Sequence, residues 1–181
     1  MSVIFTRRSV RSYLPKPVED DKIERILRAG FQAPSAHNKQ PWEFLLVSDR
    51  EDLKAIAGMS PWAGMVEKAP LAIACCADTE RSKFDDSEGA WWVQDLSAAT
   101  ENILLQIEEE GLGGVWLGWY PDMERVKIFS ARFALPSHIV PVSMIALGYP
   151  AHPHRPADRY DASRVHYGRW GVSWEESRSG A

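Results

Sequence analysis

From residue 91 to about residue 110, Val93, Leu96, Ala99, Ile103, Leu104 and Ile107 recur at helical spacing and define one apolar stripe. This long helix is the strongest constraint in the sequence, and Gly111 stands where its C-terminal cap belongs. On either side the chain alternates helical periodicity with short apolar runs. Residues 42–47 and 70–77 read as buried strands before the helix. Residues 115–120 and 140–147 read as two more after it, the last closed by Gly148 and Pro150. A second helix is predicted to begin at residues 19–21, whose acids suit the positive end of a helix dipole, and to run through Ile23, Ile26, Leu27, Gly30 and Phe31 to Pro34. A short N-terminal helix is expected to end within residues 6–13, because Pro15 and Pro17 cannot continue it, and another helix is expected near 122–133. Residues 152–162 read as loop, 166–174 as an extended arm, and 175–181 as a disordered tail. Some links between strands are too short for a parallel crossover. The pattern therefore predicts a mixed α/β or α+β sandwich, with residues 1–174 as a single domain.

A chain of 181 residues is long enough for one self-sufficient core, and 45% hydrophobic with 25% charged residues argues against disorder. The formal net charge of -4 provides no global basic field for nucleic acid or an anionic membrane. No apolar run approaches the ~20 residues of a membrane span, and no signal-peptide pattern opens the chain. Residues 1–16 run against the acidic balance, carrying Arg7, Arg8, Arg11 and Lys16 and no acid. The only cysteines, Cys75 and Cys76, are neighbours in a strand-like run. Their side chains face opposite sides, which disfavours a disulfide between them. The expectation is a reduced, cytoplasmic protein.

Three segments could carry chemistry. In Arg7-Arg8-Ser9-Val10-Arg11 the guanidinium forks suit phosphate and Ser9 adds a hydroxyl donor, although such a run alone reads more readily as a solvated helix face. In residues 33–42, APSAHNKQPW, a polar loop leads from a helix into a strand. Asn38 and Gln40 offer amides suited to a heteroaromatic ring edge, while the ordinary reading is a connection in which Ser35 and Asn38 make local turns. His37 has no second histidine or carboxylate at ligand spacing and reads as a turn residue. In residues 111–118, GLGGVWLG, the glycines follow a helix and enter a strand, the reverse of a dinucleotide fingerprint. The turn accounts for Gly113 and Gly114. Gly118, inside a strand, fits a place where a ligand lies against the backbone. His152, His154 and Asp158 read as solvated loop rather than a metal site, and no hydrolase motif stands out.

Taken together and in this order, the segments resemble the nitroreductase family of FMN-dependent NAD(P)H oxidoreductases. The resemblance rests on RRSVR, APSAHNKQPW, Gln94-Asp95 and Asn102-Ile103-Leu104-Leu105 on the long helix, GLGGVWLG, PVSMIALGYP and the terminal HYGRW, and it spans about residues 5–170. It implies an α/β (α+β) three-layer sandwich, with a mostly antiparallel central sheet flanked by helices. It also implies a homodimer with FMN at the subunit interface. By the resemblance, Arg7, Arg8 and Ser9 hold the ribityl phosphate and Arg11 stands beside the flavin pyrimidine edge. Ser35 and Asn38 reach the flavin from the partner subunit, Leu117 and Gly118 supply backbone near the reactive ring nitrogen, and Arg169 returns to the phosphate.

The flavin itself carries the chemistry, so no catalytic side chain and no metal is implied. NADH or NADPH would reduce FMN and leave. A small-molecule electron acceptor such as a nitroaromatic, quinone or activated alkene would then take the electrons in a ping-pong order. A non-enzymatic flavin-binding or sensory module is the alternative from another class. A dehalogenase-like branch of the same fold calls for a Glu, Tyr and Lys set in a lid. Residues 79–90 offer Glu80, Lys83 and Glu88 but no tyrosine.

Overall fold

In the strand Leu71–Asp78 every position but the last is buried, and a strand buried on both faces must be covered by a layer on each side. The computed structural model describes residues 2–83 and 90–179. In chain order these form α1 (Val3–Thr6), α2 (Asp20–Phe31), β1 (Trp42–Val47), α3 (Arg50–Gly58), β2 (Leu71–Asp78), α4 (Thr79–Ser82), α5 (Trp91–Glu109), β3 (Gly113–Gly118), α6 (Met123–Arg132), β4 (Ile139–Gly148) and α7 (Trp174–Ser179). The strands build one antiparallel sheet in the order β1-β2-β4-β3.

Alternation along the strands sorts the core into two layers. On one face Leu71, Ile73, Cys75 and Ala77 of β2, with Ile145 and Leu147 of β4, meet the inner stripe of α5 and Ile26 of α2. On the other, Ala72, Ala74, Cys76, Met144 and Ala146 meet Leu53 and Ile56 of α3 and Phe129 of α6. This is the expected three-layer α+β sandwich with an antiparallel centre. Buried hydroxyls between α5 and β4 satisfy each other: Thr100 Oγ1 lies 2.8 Å from Ser143 Oγ and donates to Leu96 O at 2.6 Å. Helix α3 was not among the expected elements. It presents only Leu53 and Ile56 to the core, too short a stripe to stand out, and starts where Asp49 Oδ1 accepts from the N–H groups of Glu51 and Asp52.

The N-terminal helix ends at the near edge of its expected range, and the Arg7–Arg11 run is not the solvated helix face that it suggests when read alone. Helix α1 ends at Thr6, and the chain beyond it is extended rather than helical. Ser9 bridges Gly114 in parallel, Val10 N–H donates to Gly114 O at 3.0 Å, and Leu14 N–H donates to Tyr149 O at 2.8 Å. The buried Tyr13 hydroxyl lies 2.6 Å from Val10 O and 2.9 Å from Ala146 O, tying this segment to the sheet. A Cβ at Gly113 would fall 2.5 Å from the Val10 side chain, so this glycine answers to packing and not merely to a turn.

The C-terminal segment also differs. Residues 166–174 fold back on themselves, with His166 bridging Ser173 and Gly168 and Gly171 at φ 71 and 87. Helix α7 occupies most of the stretch read as a disordered tail. Trp174 N–H donates to Val165 O at 3.1 Å, and the Trp174 ring packs 5.5 Å from Tyr167. Residues 180–181, and Glu88 of the 79–90 stretch, lie outside the described residues.

Cys75 and Cys76 are free and buried, facing opposite layers of the core. Burial pushes the Cys75 thiol up to about 11 and the Cys76 thiol up to about 12. At pH 8 a thiol reagent such as DTNB should therefore label neither cysteine in the native protein and both after denaturation. Rapid labelling of the native protein would contradict this placement.

Candidate active site

Where the extended segment after α1 passes the end of β3, Arg11, Leu117 and Gly118 come together in a cleft of about 480 Å³, with Trp62, Trp116 and Arg125 among its walls. The backbone there is held from several sides. Trp119 N–H and Tyr120 N–H both donate to Val142 O, at 3.0 and 3.1 Å. The Trp119 bond continues the β3–β4 ladder one step beyond the Gly118–Ser143 pair. Arg125 Nη1 donates to Gly118 O at 2.9 Å while Nη2 lies 3.0 Å from Asp122 Oδ2. Arg11 Nη1 donates to Ser9 O at 3.3 Å, and among the described residues Arg11 pairs with no carboxylate. Its cation therefore faces the cleft uncompensated.

The glycines separate by what their missing side chains would meet. A Cβ at Gly30, Gly113 or Gly148 would strike neighbours at 2.5–2.9 Å, so packing inside the chain excludes one. A Cβ at Gly118 would meet nothing within 4 Å. Nothing among the described residues requires glycine at 118, and the position is exposed on the cleft wall.

Of the expected phosphate ligands, Arg7, Arg8 and Ser9 lie on the same segment as Arg11 but are differently engaged. Arg7 Nε forms an ion pair with Glu101 Oε1 at 3.2 Å. Arg8 donates from Nε to Arg155 O at 3.0 Å and from Nη2 to Ala157 O at 2.9 Å, binding the loop after β4. Ser9 is exposed beside them. Arg169 sits in the folded-back C-terminal segment, exposed, with its backbone bonded to Tyr167 and Val172. Among the described residues Arg169 makes no hydrogen bond or ion pair with Arg7, Arg8 or Ser9.

Ser35 and Asn38 lie elsewhere. Their loop enters β1, at one edge of the sheet, whereas Gly118 ends β3 at the other edge. Trp42 opposite Ala77 and Gly118 opposite Ser143 put both at the same end of the sheet. Three strand spacings, about 14 Å, intervene, beyond the hydrogen-bonding reach of one side chain. The loop is tightly turned: His37, Asn38 and Gln40 have φ of 51, 54 and 50. Ser35 Oγ accepts from Gln40 N–H at 2.9 Å, and Gln40 Nε2 donates to Asn38 Oδ1 at 2.9 Å. Asp95 Oδ1 of α5 accepts from Ala36 N–H at 2.9 Å. Burial raises the Asp95 carboxyl above its ordinary pKa, and the Ala36 N–H offsets part of that rise.

A model described as the Nitroreductase family matches residues 4–78 and 59–149. The chain belongs to the Nitroreductase family. It is 43% identical over 173 residues to an Archaeoglobus fulgidus protein named "Putative NADH dehydrogenase/NAD(P)H nitroreductase", across 94% of this chain and 98% of that one. A solved structure from Clostridium acetobutylicum superposes with a TM-score of 0.87 at 45% identity, covering 93% of this chain and 100% of that one. An FMN-dependent nitroreductase from Clostridium difficile R20291 superposes with a TM-score of 0.84 at 29% identity, covering 93% and 99%. The nitroreductase fold is thus this chain's fold, as the resemblance implied.

Within this nitroreductase-family site, Trp62 and Arg125 escaped the sequence reading. Trp62 follows the unrecognised helix α3, so its loop had no anchored position in the sequence. Arg125 could have been noticed three residues after the capping Asp122, but its bond to Gly118 depends on how α6 folds back.

Two glycine substitutions should separate packing from ligand approach. Gly113→Ala is expected to destabilise the fold by about 1–3 kcal/mol through its clash with Val10. Gly118→Val, a good strand residue in open space, should leave the melting temperature unchanged or slightly raised while abolishing flavin retention. A Gly118→Val protein that retains flavin normally would remove Gly118 from the site.

Proposed function

We propose that this nitroreductase-family protein is an FMN-dependent NAD(P)H oxidoreductase, active as a homodimer in which each flavin site draws residues from two copies. The observation that carries the reading is Gly118: an exposed glycine at the end of β3 where, among the described residues, nothing stands to exclude a side chain, beside the Arg11 cation, which pairs with no carboxylate among them. A planar ring lying against the backbone explains both. The FMN dependence of the Clostridium difficile relative supports the choice of flavin. Bound there, FMN would supply hydride acceptance and donation between a reduced nicotinamide and an electrophilic acceptor such as a nitroaromatic, quinone or activated alkene.

The chain's own residues bind and orient. Arg11 places a fixed positive charge beside the pyrimidine edge, where the reduced ring is anionic. Arg125 and the Val142 carbonyl hold the backbone from Gly118 to Tyr120 in place. Arg7, Arg8 and Ser9 form the phosphate end, with Arg169 joining them on assembly. NADH or NADPH and the acceptor would use the cleft in turn, in a ping-pong order, with protons drawn from water. Residues 1–174 act as one FMN-binding unit, and two unpaired buried thiols suit a reducing, cytoplasmic setting. Among the described residues no helix is long and apolar enough to cross a membrane.

The separation of the two half-sites supports the homodimer. Ile4 and Phe5 on α1, Phe31 at the end of α2 and Trp91 at the start of α5 are exposed hydrophobics on the α1, α2 and α5 layer, a face suited to a second copy of this chain.

The decisive measurement is the visible spectrum of protein reconstituted with excess FMN and desalted. A bound flavin spectrum that NADH or NADPH bleaches and menadione restores is expected. A colourless protein would overturn the reading, and a bound flavin that neither nucleotide reduces would indicate a flavin-binding module instead. Arg11→Ala should weaken FMN binding about tenfold or more, as expected for a lost charged hydrogen bond. Light scattering should give twice the 20.4 kDa chain mass, and replacing Ile4 and Phe5 with aspartate should yield monomer that has lost flavin. A monomer that still binds FMN tightly would refute the shared site.

A further inference from the structure

The loop carrying Ser35 and Asn38 is held by a side chain that the flavin reading does not use. Asp95, on α5, is only 6% exposed, and its bonded partner is the Ala36 N–H at 2.9 Å. Among the described residues this buried carboxyl has no counter-ion, which is unfavourable and calls for an explanation. The loop provides it. Ser35 stands at the N-cap of the Ala36–Asn38 turn, but its side chain makes no capping bond; Ser35 Oγ accepts from Gln40 N–H instead. Asp95 supplies the missing acceptor from another element of the fold. His37, Asn38 and Gln40 all adopt positive φ, a conformation that non-glycine residues keep only where their surroundings over-determine it.

These bonds also decide what the loop presents. With Ser35 Oγ accepting from Gln40 N–H, its own O–H is the group left to donate outward. With Asn38 Oδ1 accepting from Gln40 Nε2, the Asn38 amide offers its NH₂. Gln40 thereby acts on Asn38, and both candidate contact residues offer donors. Their complement is an edge of carbonyl oxygens, such as the pyrimidine edge of a flavin.

We propose that Asp95 is a positioning residue of the flavin site: by capping the Ala36–Asn38 turn from α5 it holds Ser35 and Asn38 as donors toward the ring-edge oxygens of FMN. This rests on the reading above, in which those two residues meet FMN bound on a second copy. The role assigned to Asp95 runs through its bond to the Ala36 N–H.

The test compares Asp95→Ala with Asp95→Asn, which keeps an acceptor oxygen for Ala36 N–H. FMN affinity is read from the quenching of flavin fluorescence on the dimeric protein. Asp95→Ala should weaken FMN binding about tenfold, the size of a lost cap, while Asp95→Asn stays close to the parent. Amide hydrogen exchange, read without flavin, should show Ala36 exposed in Asp95→Ala and protected in Asp95→Asn. Parental affinity in Asp95→Ala, equal loss in both variants, or unchanged Ala36 exchange in Asp95→Ala would each overturn the role of Asp95. The double variant Ser35→Ala, Asn38→Ala separates the two levels. Parental FMN affinity there would overturn the flavin reading of the loop, and this inference with it. Weakened affinity there alongside parental affinity in Asp95→Ala would remove Asp95 alone.

Discussion

The structure depends on a strand that cannot face water. β2 is buried on both faces, and its alternating side chains must find partners above and below the sheet at once. That requirement places α2 and α5 on one side and α3 and α6 on the other, with β2 and β4 at the centre and β1 and β3 at the edges. Function follows from the edges. The end of β3 is free to border a cleft because it is an edge strand, and the turn entering β1 is free to project because β1 is the other.

The N-terminal segment then converts an edge into a site. Extended chain after α1 runs beside β3, bonded through Val10 to Gly114 and pinned by the Tyr13 hydroxyl. Val10 fits only because residue 113 lacks a side chain. One packing contact thus links the basic cluster to the glycine-bearing strand and brings Arg11 to the cleft that Gly118 borders. The local positive charge within an acidic chain acquires a position as well as a sign.

Much of the fold was legible because its strong elements are strongly patterned. β1 matches its expected range, α5 differs from its range by one residue, and Asp122 caps α6 next to where that helix was expected. The misreadings share a cause. α3 has two buried apolar residues, too few to establish a period, and the Arg7–Arg11 run looks helical only while its partner strand is unseen. Residues 166–174 were read as extended because the bridge between His166 and Ser173 leaves no hydrophobic period behind. Within the site, Gly118 stood out in the sequence because an interior strand glycine is anomalous. Trp62 and Arg125 did not, since their place depends on neighbouring elements.

By itself the sequence determined the layered α+β class, the family, and the residue types that a phosphate-bearing aromatic cofactor would need. Those are properties of spacing and side-chain chemistry, which are written along the chain. Only the tertiary structure decided which of those residues share a cleft. Arg11, Leu117 and Gly118 meet because antiparallel pairing and the Val10 contact bring distant segments together. Ser35 and Asn38 stand across the sheet, Arg8 binds the loop after β4, and Arg169 is bonded within the folded-back C-terminal segment. The cause is geometric: strand order and the folding back of the chain set distances between residues, and neither is encoded in any one segment's periodicity.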